Sequence, residues 1–589
     1  MLFLDCEVYP NYFLVCAAGQ DGSRACFELI NDTSLDRRAL LSKLETWIIV
    51  GFNLRNFDLP LLALAIKGAG NIELYNAGAA LIKGTVRPRD VADVPDSWKH
   101  IDLKEVAPGV MVSLKLYGGR MHSVELRDLP YPPETLLSDD QMHEVRAYCF
   151  NDLAITRDLY HALREQIELR RSMSAQYGID LMSKSDAQIA EAVLVTEIEA
   201  RLGHKISAPK ASAQSFTYRP PAWLRFDTPE LRALFDEILS CKFTTNAAGV
   251  LQMPPELDGK TVAIGKSVYR LGIGGLHSSE KSTYWLADDN HRLIDIDATS
   301  YYPSIILEQG LYPPQCGPAF LEIYRGIVER RIKAKAAGDK VTADSLKIAV
   351  NGSFGKLGSP YSKLYAPDLF KQVTITGQLA LLMLIEHLES VGIPVVSANT
   401  DGIVTRPRAA DSEVLENVIA FWEAVTGYST ELTEYRGLYS RDVNSYFAIK
   451  LDGSVKAKGA FAHGGLSKNP AAPVVHQAVI EHIRTGRPIE EVIQHGQIRD
   501  YLTVRTVNGG GVWCGQYLGK VVRWYWSTNG EFIRYATNGN KVPNSDGARP
   551  VTHMITDHPA DLDYGRYIKE AYDVLKSVGL DYGSLWKAA

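Results

Sequence analysis

The alternation of apolar and polar positions divides the chain into strand-like and helix-like stretches before any chemistry is considered. Met1-Leu-Phe-Leu-Asp5-Cys-Glu7-Val is a short apolar run with two acids at period 2, which predicts a strand carrying both on one face. Phe13 to Ala17 and Ala25 to Ile30 read as neighbouring strands of a meander. Trp47 to Asn53 reads as a buried strand that leads into a turn and the helical pattern Leu59 to Ile66. Met142 to Leu163 is strongly periodic, with Tyr148 and Asp152 one turn apart on one face. Helices are also expected around Arg170-Arg171 and over Asp186 to Leu202, and Pro209, Pro220-Pro221, Pro229 and Pro254-Pro255 mark the loops that follow. Leu293 to Asp297 alternates apolar and acidic residues, which predicts a buried strand with Asp295 and Asp297 on one face, closed by a turn at Pro303. Phe320 to Ala337 is a basic helix with Arg331 and Lys335 on one side. The next helix, capped by Thr342 or Asp344, aligns Lys347, Asn351 and Phe354 in a single stripe. Pro394 to Thr405 is a hairpin of two apolar strands around Asn399-Thr-Asp401-Gly402.

A chain of 589 residues is too long for one core and implies three or four domains, and 46% hydrophobic with 22% charged residues is ordinary globular composition. The net charge of -6 excludes a protein that is basic all over but hides a local excess: residues 320–367 hold nine Lys/Arg against four Asp/Glu. Seven scattered cysteines without a Cys-x-x-Cys pair argue against zinc and for a reducing cytoplasm. Asp5 interrupts the first apolar residues too early for a signal core, and no long uninterrupted apolar run suggests a membrane span, so no membrane partner is expected.

These patterns gather acids. Asp5, Glu7, Asp58 and Asp152 sit at strand, turn and helix ends, and brought together they repel unless cations neutralise them. Two divalent ions roughly 4 Å apart would do so and would also serve phosphate hydrolysis, with Tyr148 placed to position the water or the phosphate. Asp297, at a strand end beside a sharp turn, is likewise suited to a divalent metal. Lys347, Asn351 and Phe354 offer a cation, an amide and a ring to a triphosphate and a base pair.

The set Asp5-x-Glu7, Asn53-x-x-x-Phe57-Asp58 and Tyr148-x-x-x-Asp152, in that order, resembles the three exonuclease motifs of proofreading DNA polymerases. The resemblance implies a ribonuclease-H-like fold and 3′→5′ hydrolysis of DNA ends, with Asn53 and Phe57 on the DNA. Asp297-x-x-Ser300-x-Tyr302-Pro-Ser304 resembles the first polymerase motif of family B DNA polymerases, and Lys347-x-x-x-Asn351-Gly-Ser-Phe354-Gly resembles the second. Asn399-Thr-Asp401-Gly402 is similar to the third, Asp-Thr-Asp-Ser, with Asn399 and Gly402 as departures. Asn444-Ser-Tyr446 stands where the family has Lys-x-Tyr.

From this resemblance Asp297, Ala298 and Asp401 would hold metal, two Mg²⁺ per active site with Mn²⁺ as an alternative. Ser300, Tyr301, Arg331, Lys335 and Lys347 would meet the incoming triphosphate, and Tyr302 would exclude a ribose 2′-hydroxyl. Asn351 and Phe354 would support the nascent pair, and Tyr446, Lys458 and Gly459 the primer–template backbone. Gly274 and Gly275 belong either to a simple hairpin turn or to a template contact, with Ile273 where the family has Tyr.

The implied architecture is α/β and multidomain, a ribonuclease-H-like exonuclease domain plus a right-hand polymerase of palm, fingers and thumb. Its expected boundaries are exonuclease 1–170, connector and start of palm 171–290, palm 291–316 and 393–470, fingers 317–392 and thumb 471–589. The implied activity is template-directed extension of a primer 3′-hydroxyl with dNTPs, with proofreading, in DNA replication. The alternatives are an exonuclease with an inactive polymerase half and a non-catalytic DNA-binding replisome component. Expected partners are primer–template DNA, dNTPs and replisome proteins of unstated identity, with the chain itself a monomer. The short intervals 297–347 and 347–401 suggest a compact, bacteriophage-type enzyme acting in the host cytoplasm.

Overall fold

In the computed structural model of the chain, residues 1–109 and 112–581 are described. They form two compact units. The first joins Met1–Ser185 to His463–Val475 and Glu490–Lys569, and the second holds Asp186–Ala462 with His476–Ile489 and the segment from Glu570 onward.

The N-terminal part of the first unit is a five-stranded sheet. Strands β1 (Leu2–Tyr9), β2 (Tyr12–Gly19) and β3 (Arg24–Ile30) form the antiparallel meander that the alternation predicts. Strands β4 (Ile49–Gly51) and β5 (His100–Asp102) add in parallel, giving the order 3-2-1-4-5 of the ribonuclease-H-like arrangement. Strand β4 is shorter than expected: Trp47 and Ile48 are 44% and 42% exposed, because pairing begins only at Ile49. Helices α1 (Asp58–Ile66), α2 (Leu114–Arg120) and α3 (Asp139–Ala162) carry the acids' partners. Ser138 and Gln141 close a capping box that starts α3 three residues before the expected Met142.

The second unit opens with α4 (Asp186–Leu202) and centres on an antiparallel ten-stranded sheet. Its middle strand β6 (Ile294–Ala298) is followed by α5 (Tyr301–Glu308), α6 (Ala319–Ala336), α7 (Lys340–Leu357) and α8 (Pro367–Ser390). Helix α7 begins earlier than expected. The side chain of Asp339, next to Gly338 at φ +73°, accepts from the Thr342 amide, so Thr342 and Asp344 lie inside the helix rather than capping it. Helix α8 is long and apolar enough to cross a membrane by length and composition, but 78% of its apolar window is buried in this unit, where it is a core helix. Strands β7 (Val395–Asn399) and β8 (Gly402–Thr405) make the expected hairpin, and β9 (Thr430–Asp442), β10 (Ser445–Lys450) and β11 (Val455–Ala457) complete one side of the sheet.

The rest of the first unit comes from downstream. Strands β12 (Thr503–Trp513) and β13 (Gln516–Glu531) form a long hairpin whose Val504 and Val521 pack with Leu116 and Leu126. Residues 471–589, expected as one thumb, are divided between the two units: Glu490–Lys569 belongs to the first, where its hairpin packs on α2 and Leu126.

Candidate active sites

In the first unit Asp5 and Glu7 alternate with the buried Leu4 and Cys6 along β1, so both carboxylates project from one face of a central strand. Asp58, the first residue of α1, is buried and accepts from the Cys6 amide at 3.1 Å, which ties the start of that helix to β1. Asp152, one turn beyond Tyr148 on α3, is also buried. The ligand atoms of Asp5, Glu7 and Cys149 lie within 4.8 Å of one another. The four acids named from sequence thus come from β1, α1 and α3 to one locality, where Asp5 and Asp152 act on each other electrostatically.

Burial, and then the neighbouring Asp152 carboxylate, push the Asp5 carboxyl up to about 7. Glu7 is raised by burial and then by Asp5, and Asp58 by burial and then by Asp5 and Asp102. Burial raises Asp152 as well, against the opposing pull of Lys115. Burial holds the Cys149 thiol well above its usual range, so the sulfur stays protonated and the hard donors are carboxylates. Buried acids that disfavour one another's charge fit a pair of hard divalent cations, and oxygen ligands of this kind suit Mg²⁺.

Two residues that the sequence reading passed over shape this locality. Lys115 on α2 ion-pairs with Asp152 and stands 4.1 Å over the Tyr148 ring. Asp102 is wholly inaccessible and accepts from the amides of Asn53 at 2.8 Å and Arg55 at 3.0 Å. It thereby fixes Asn53 at φ +66°, while Lys104 reaches the Asn53 side chain at 2.9 Å. Phe57 follows in that turn and packs partly buried against the core beneath it.

The electrostatics predict a pH dependence of stability. Below pH 3.8 the Asp5 carboxyl is protonated in both folded and unfolded chain, and above about 7 it is charged in both, so the folding penalty grows as pH rises between these values. In chelator, the thermal midpoint of this unit is expected to fall from pH 5 to pH 8. Mg²⁺ at roughly 100 times its dissociation constant should stabilise the unit by about 2.7 kcal/mol and raise the midpoint accordingly, more at pH 8 than at pH 5. A midpoint indifferent to Mg²⁺ at both pH values would sink this account.

In the second unit, β6 lies between β8 and β9, with Asp297 opposite Gly402 and Glu431. Asp401 occupies the β7–β8 turn, and its carbonyl accepts from the Ala298 amide at 2.8 Å, so Asp297, Ala298 and Asp401 meet at one end of the sheet. Desolvation and then the Asp401 carboxylate push Asp297 up to about 6, and desolvation raises Asp401 too. Both are exposed side chains, in contrast to the buried Asp295 two residues back on the same face. Asp295 accepts from Lys456 at 2.8 Å and from Tyr435. Burial works against the charge of Lys456, and Asp295 outweighs it and raises its pKa. An exposed pair of carboxylates, one raising the pKa of the other and both raised by desolvation, fits a divalent cation; the buried, paired Asp295 is a support.

The departures at 399 and 402 have local causes. The Asn399 amide donates to the Val443 carbonyl at 2.9 Å, a bond that a carboxylate cannot make. A Cβ at Gly402 would stand 2.7 Å from Asp297 Oδ1, so the missing side chain leaves that carboxylate its place.

The helices bring up the remaining named residues. Ser300, at φ +49° ahead of α5, accepts from Arg331 at 2.8 Å, and Lys335 faces Glu431 at 3.8 Å. Tyr301 is buried, its hydroxyl donating to the Gly377 carbonyl at 2.6 Å. Tyr302 donates to the Gly274 carbonyl and stacks on Phe354 at 4.3 Å, which stacks in turn on Phe370 at 4.8 Å. Lys347 and Asn351 are exposed on α7. Gly275 lies against the β7–β8 turn: a Cβ there would come within 2.9 Å of Thr400 Cα. Tyr446 feels Lys456 and the three acids Asp295, Asp297 and Asp401. Its carbonyl accepts from the Lys458 amide at 2.8 Å, and Lys458 in turn lowers the Asp401 pKa. Gly459 adopts φ +56° where a Cβ would strike the Asn444 carbonyl at 2.0 Å.

No family model matches the chain. It is similar to DNA polymerase 1 of Pyrococcus abyssi, 25% identical over 207 residues that cover 28% of this chain and 27% of that protein. It is also similar to DNA polymerase 2 of Aeropyrum pernix, 24% identical over 165 residues covering 26% and 20%. The chain spans about a quarter of the length of the curated relatives it matches. Among solved structures, the family B DNA polymerase of the archaeon Pyrobaculum calidifontis aligns with 99% of this chain and 78% of its own, at 15% identity and a TM-score of 0.42.

Proposed function

We infer that this chain, a relative of archaeal DNA polymerases, is a DNA polymerase of family B that extends primers on a template and trims 3′ ends. The observation that carries the reading is the meeting of Asp297 and Asp401 at one end of a sheet, with Arg331, Lys335 and Lys458 beside them. When bound, two Mg²⁺ or Mn²⁺ ions at each site would activate the attacking oxygen and stabilise the leaving one.

Asp297, Asp401 and the Ala298 carbonyl are the groups that would hold them here. Arg331, Lys335 and Lys347 bind the dNTP triphosphate, so the chain's contribution is positioning and charge. Ser300 and Tyr301 line it. Tyr302, pinned between the Gly274 carbonyl and the Phe354 ring, is a rigid wall against a ribose 2′-hydroxyl. Asn351 and Phe354 support the nascent pair. Gly274, Gly275, Tyr446, Lys458 and Gly459 follow the primer–template backbone.

In the first unit, Asp5, Glu7, Asp58 and Asp152 would hold the metals of a 3′→5′ exonuclease. Tyr148 and Lys115 orient the scissile phosphate, and Asn53 and Phe57 hold the unpaired end. We assign residues 1–170 to the exonuclease, 291–316 and 393–470 to the palm, and 317–392 to the fingers. Asn399 bonds a backbone carbonyl, which supports a structural reason for that departure and weighs against an inactive polymerase half.

One gel tests the reading. A 5′-labelled primer on a template with Mg²⁺ is expected to lengthen with all four dNTPs and to shorten without them. No lengthening by the Asp5→Ala/Glu7→Ala chain, in which trimming cannot mask synthesis, would overturn the polymerase assignment.

A further inference from the structure

A pocket of about 190 Å³ opens beside the carboxylates of the first unit. One wall is Lys115 and Tyr148, the groups that contact Asp152. Another is Arg127 and Asp128, and the third is Lys520 with its neighbours on β13, a strand contributed from far downstream. Residues 113–148 and 518–521 belong to the same compact unit, so this wall is built into the fold of that unit.

The hairpin is anchored where it meets the pocket. Val504 and Val521 pack with Leu116 and Leu126, the neighbours of Lys115 and Arg127. A Cβ on Gly119 would come within 2.7 Å of Val504, so α2 and the hairpin are in close contact. The Tyr517 hydroxyl donates to Asp128 at 3.0 Å, and at Gly519, with φ +92°, an added Cβ would come within 3.0 Å of the Asp128 side chain.

The charges in this pocket are unequal. Asp128 is occupied by Tyr517, Lys115 by Asp152, and Arg127 by Glu125 at 2.6 Å. Lys520 is exposed and makes no ion pair among the described residues. An exposed ammonium on an anchored strand, lining a small pocket whose Lys115 and Tyr148 contact the buried Asp152, suits a phosphodiester whose chain continues outward from the site.

We propose that Lys520 is a positioning residue of the trimming site, which binds a backbone phosphate of the single strand while its 3′ end occupies the pocket. The proposal rests on the exonuclease reading above and adds to it a substrate-binding wall supplied by the β12–β13 hairpin. Because Lys520 stands at the rim and not among the carboxylates, it acts on capture of the strand and not on the hydrolytic step.

The test is degradation of a single-stranded 5′-labelled oligonucleotide by the full chain and by Lys520→Ala, at several salt concentrations. The substitution is expected to raise KM about five- to tenfold with kcat nearly unchanged. It should also make the plot of log(kcat/KM) against log[salt] shallower by about 0.7, the value for one phosphate contact on a single strand. Lys520→Arg should restore both. Unchanged KM and salt slope in a chain that still shortens the oligonucleotide would overturn the subsite alone. A fall in kcat with KM unchanged would overturn it too, since capture would not be the affected step. If the unsubstituted chain shortens nothing, the exonuclease reading fails and the subsite with it.

Discussion

Replacing Asp401 by Ala is expected to lower primer extension at least about a thousandfold, about 4 kcal/mol of transition-state stabilisation, while primer shortening stays within about twofold. The size of the effect follows from the position of the carboxylate. Asp401 sits in the β7–β8 turn directly beside Asp297, and its presence is the second cause, after desolvation, of the rise of the Asp297 carboxyl to about 6. Removing it halves the charge available to divalent ions at that end of the sheet. Among the described residues beside it no unpaired acid stands ready to replace it, because Asp295 is buried and held by Tyr435 and Lys456, and Glu431 faces Lys335. The turn itself should survive, since the bond between Ala298 and residue 401 is made by the backbone. The measurement is single-nucleotide incorporation at saturating dNTP, with folding checked by the unchanged thermal midpoint. Extension at the unsubstituted rate would remove Asp401 from the metal set.

The legibility of this arrangement was uneven, for identifiable reasons. Period-2 spacing was enough to place Asp5 with Glu7 and Asp295 with Asp297, because strand geometry fixes the face of a residue from its number alone. The one-turn spacing of Tyr148 and Asp152 was legible in the same way on α3. Spacing does not tell depth: Asp295 and Asp297 share a face, yet one is locked in a buried ion pair and the other is exposed at the strand end. Nor does it tell tertiary neighbours. Lys115 lies on a helix of seven residues with no periodic signal of its own, and only packing brings it to Asp152. The cap of α7 was misread because Thr342 and Asp344 are both good capping residues, whereas Asp339 comes after a left-handed glycine that already ends the preceding turn. The segment 471–589 carried no sharp motif, so the packing of its hairpin on α2 could not be foreseen.

Substituting both Asp5 and Glu7 by Ala should abolish primer shortening, by about a thousandfold or more, and leave single-nucleotide incorporation at its original rate. The double change removes the two β1 carboxylates whose ligand atoms lie within 4.8 Å of each other and of Cys149, leaving Asp58 and Asp152. Asp58 and Asp152 remain, but they are two of the four carboxylates of the set and Asp152 is also ion-paired to Lys115, so half of the oxygen donors are gone. The same substitution relieves repulsion, since Asp5 raises the pKa of Glu7 and Asp58, and Glu7 adds to the rise of the Tyr148 hydroxyl and the Cys149 thiol. The variant should therefore be more stable than the parent in chelator at pH 8, and its midpoint should respond less to Mg²⁺. This pairing of a lost activity with gained stability separates a metal site from an ordinary structural cluster. A structural cluster would lose stability when its members are removed, because its hydrogen bonds and ion pairs would go with them. A variant that is less stable in chelator and still trims primers would show that Asp5 and Glu7 hold the fold and not the metal.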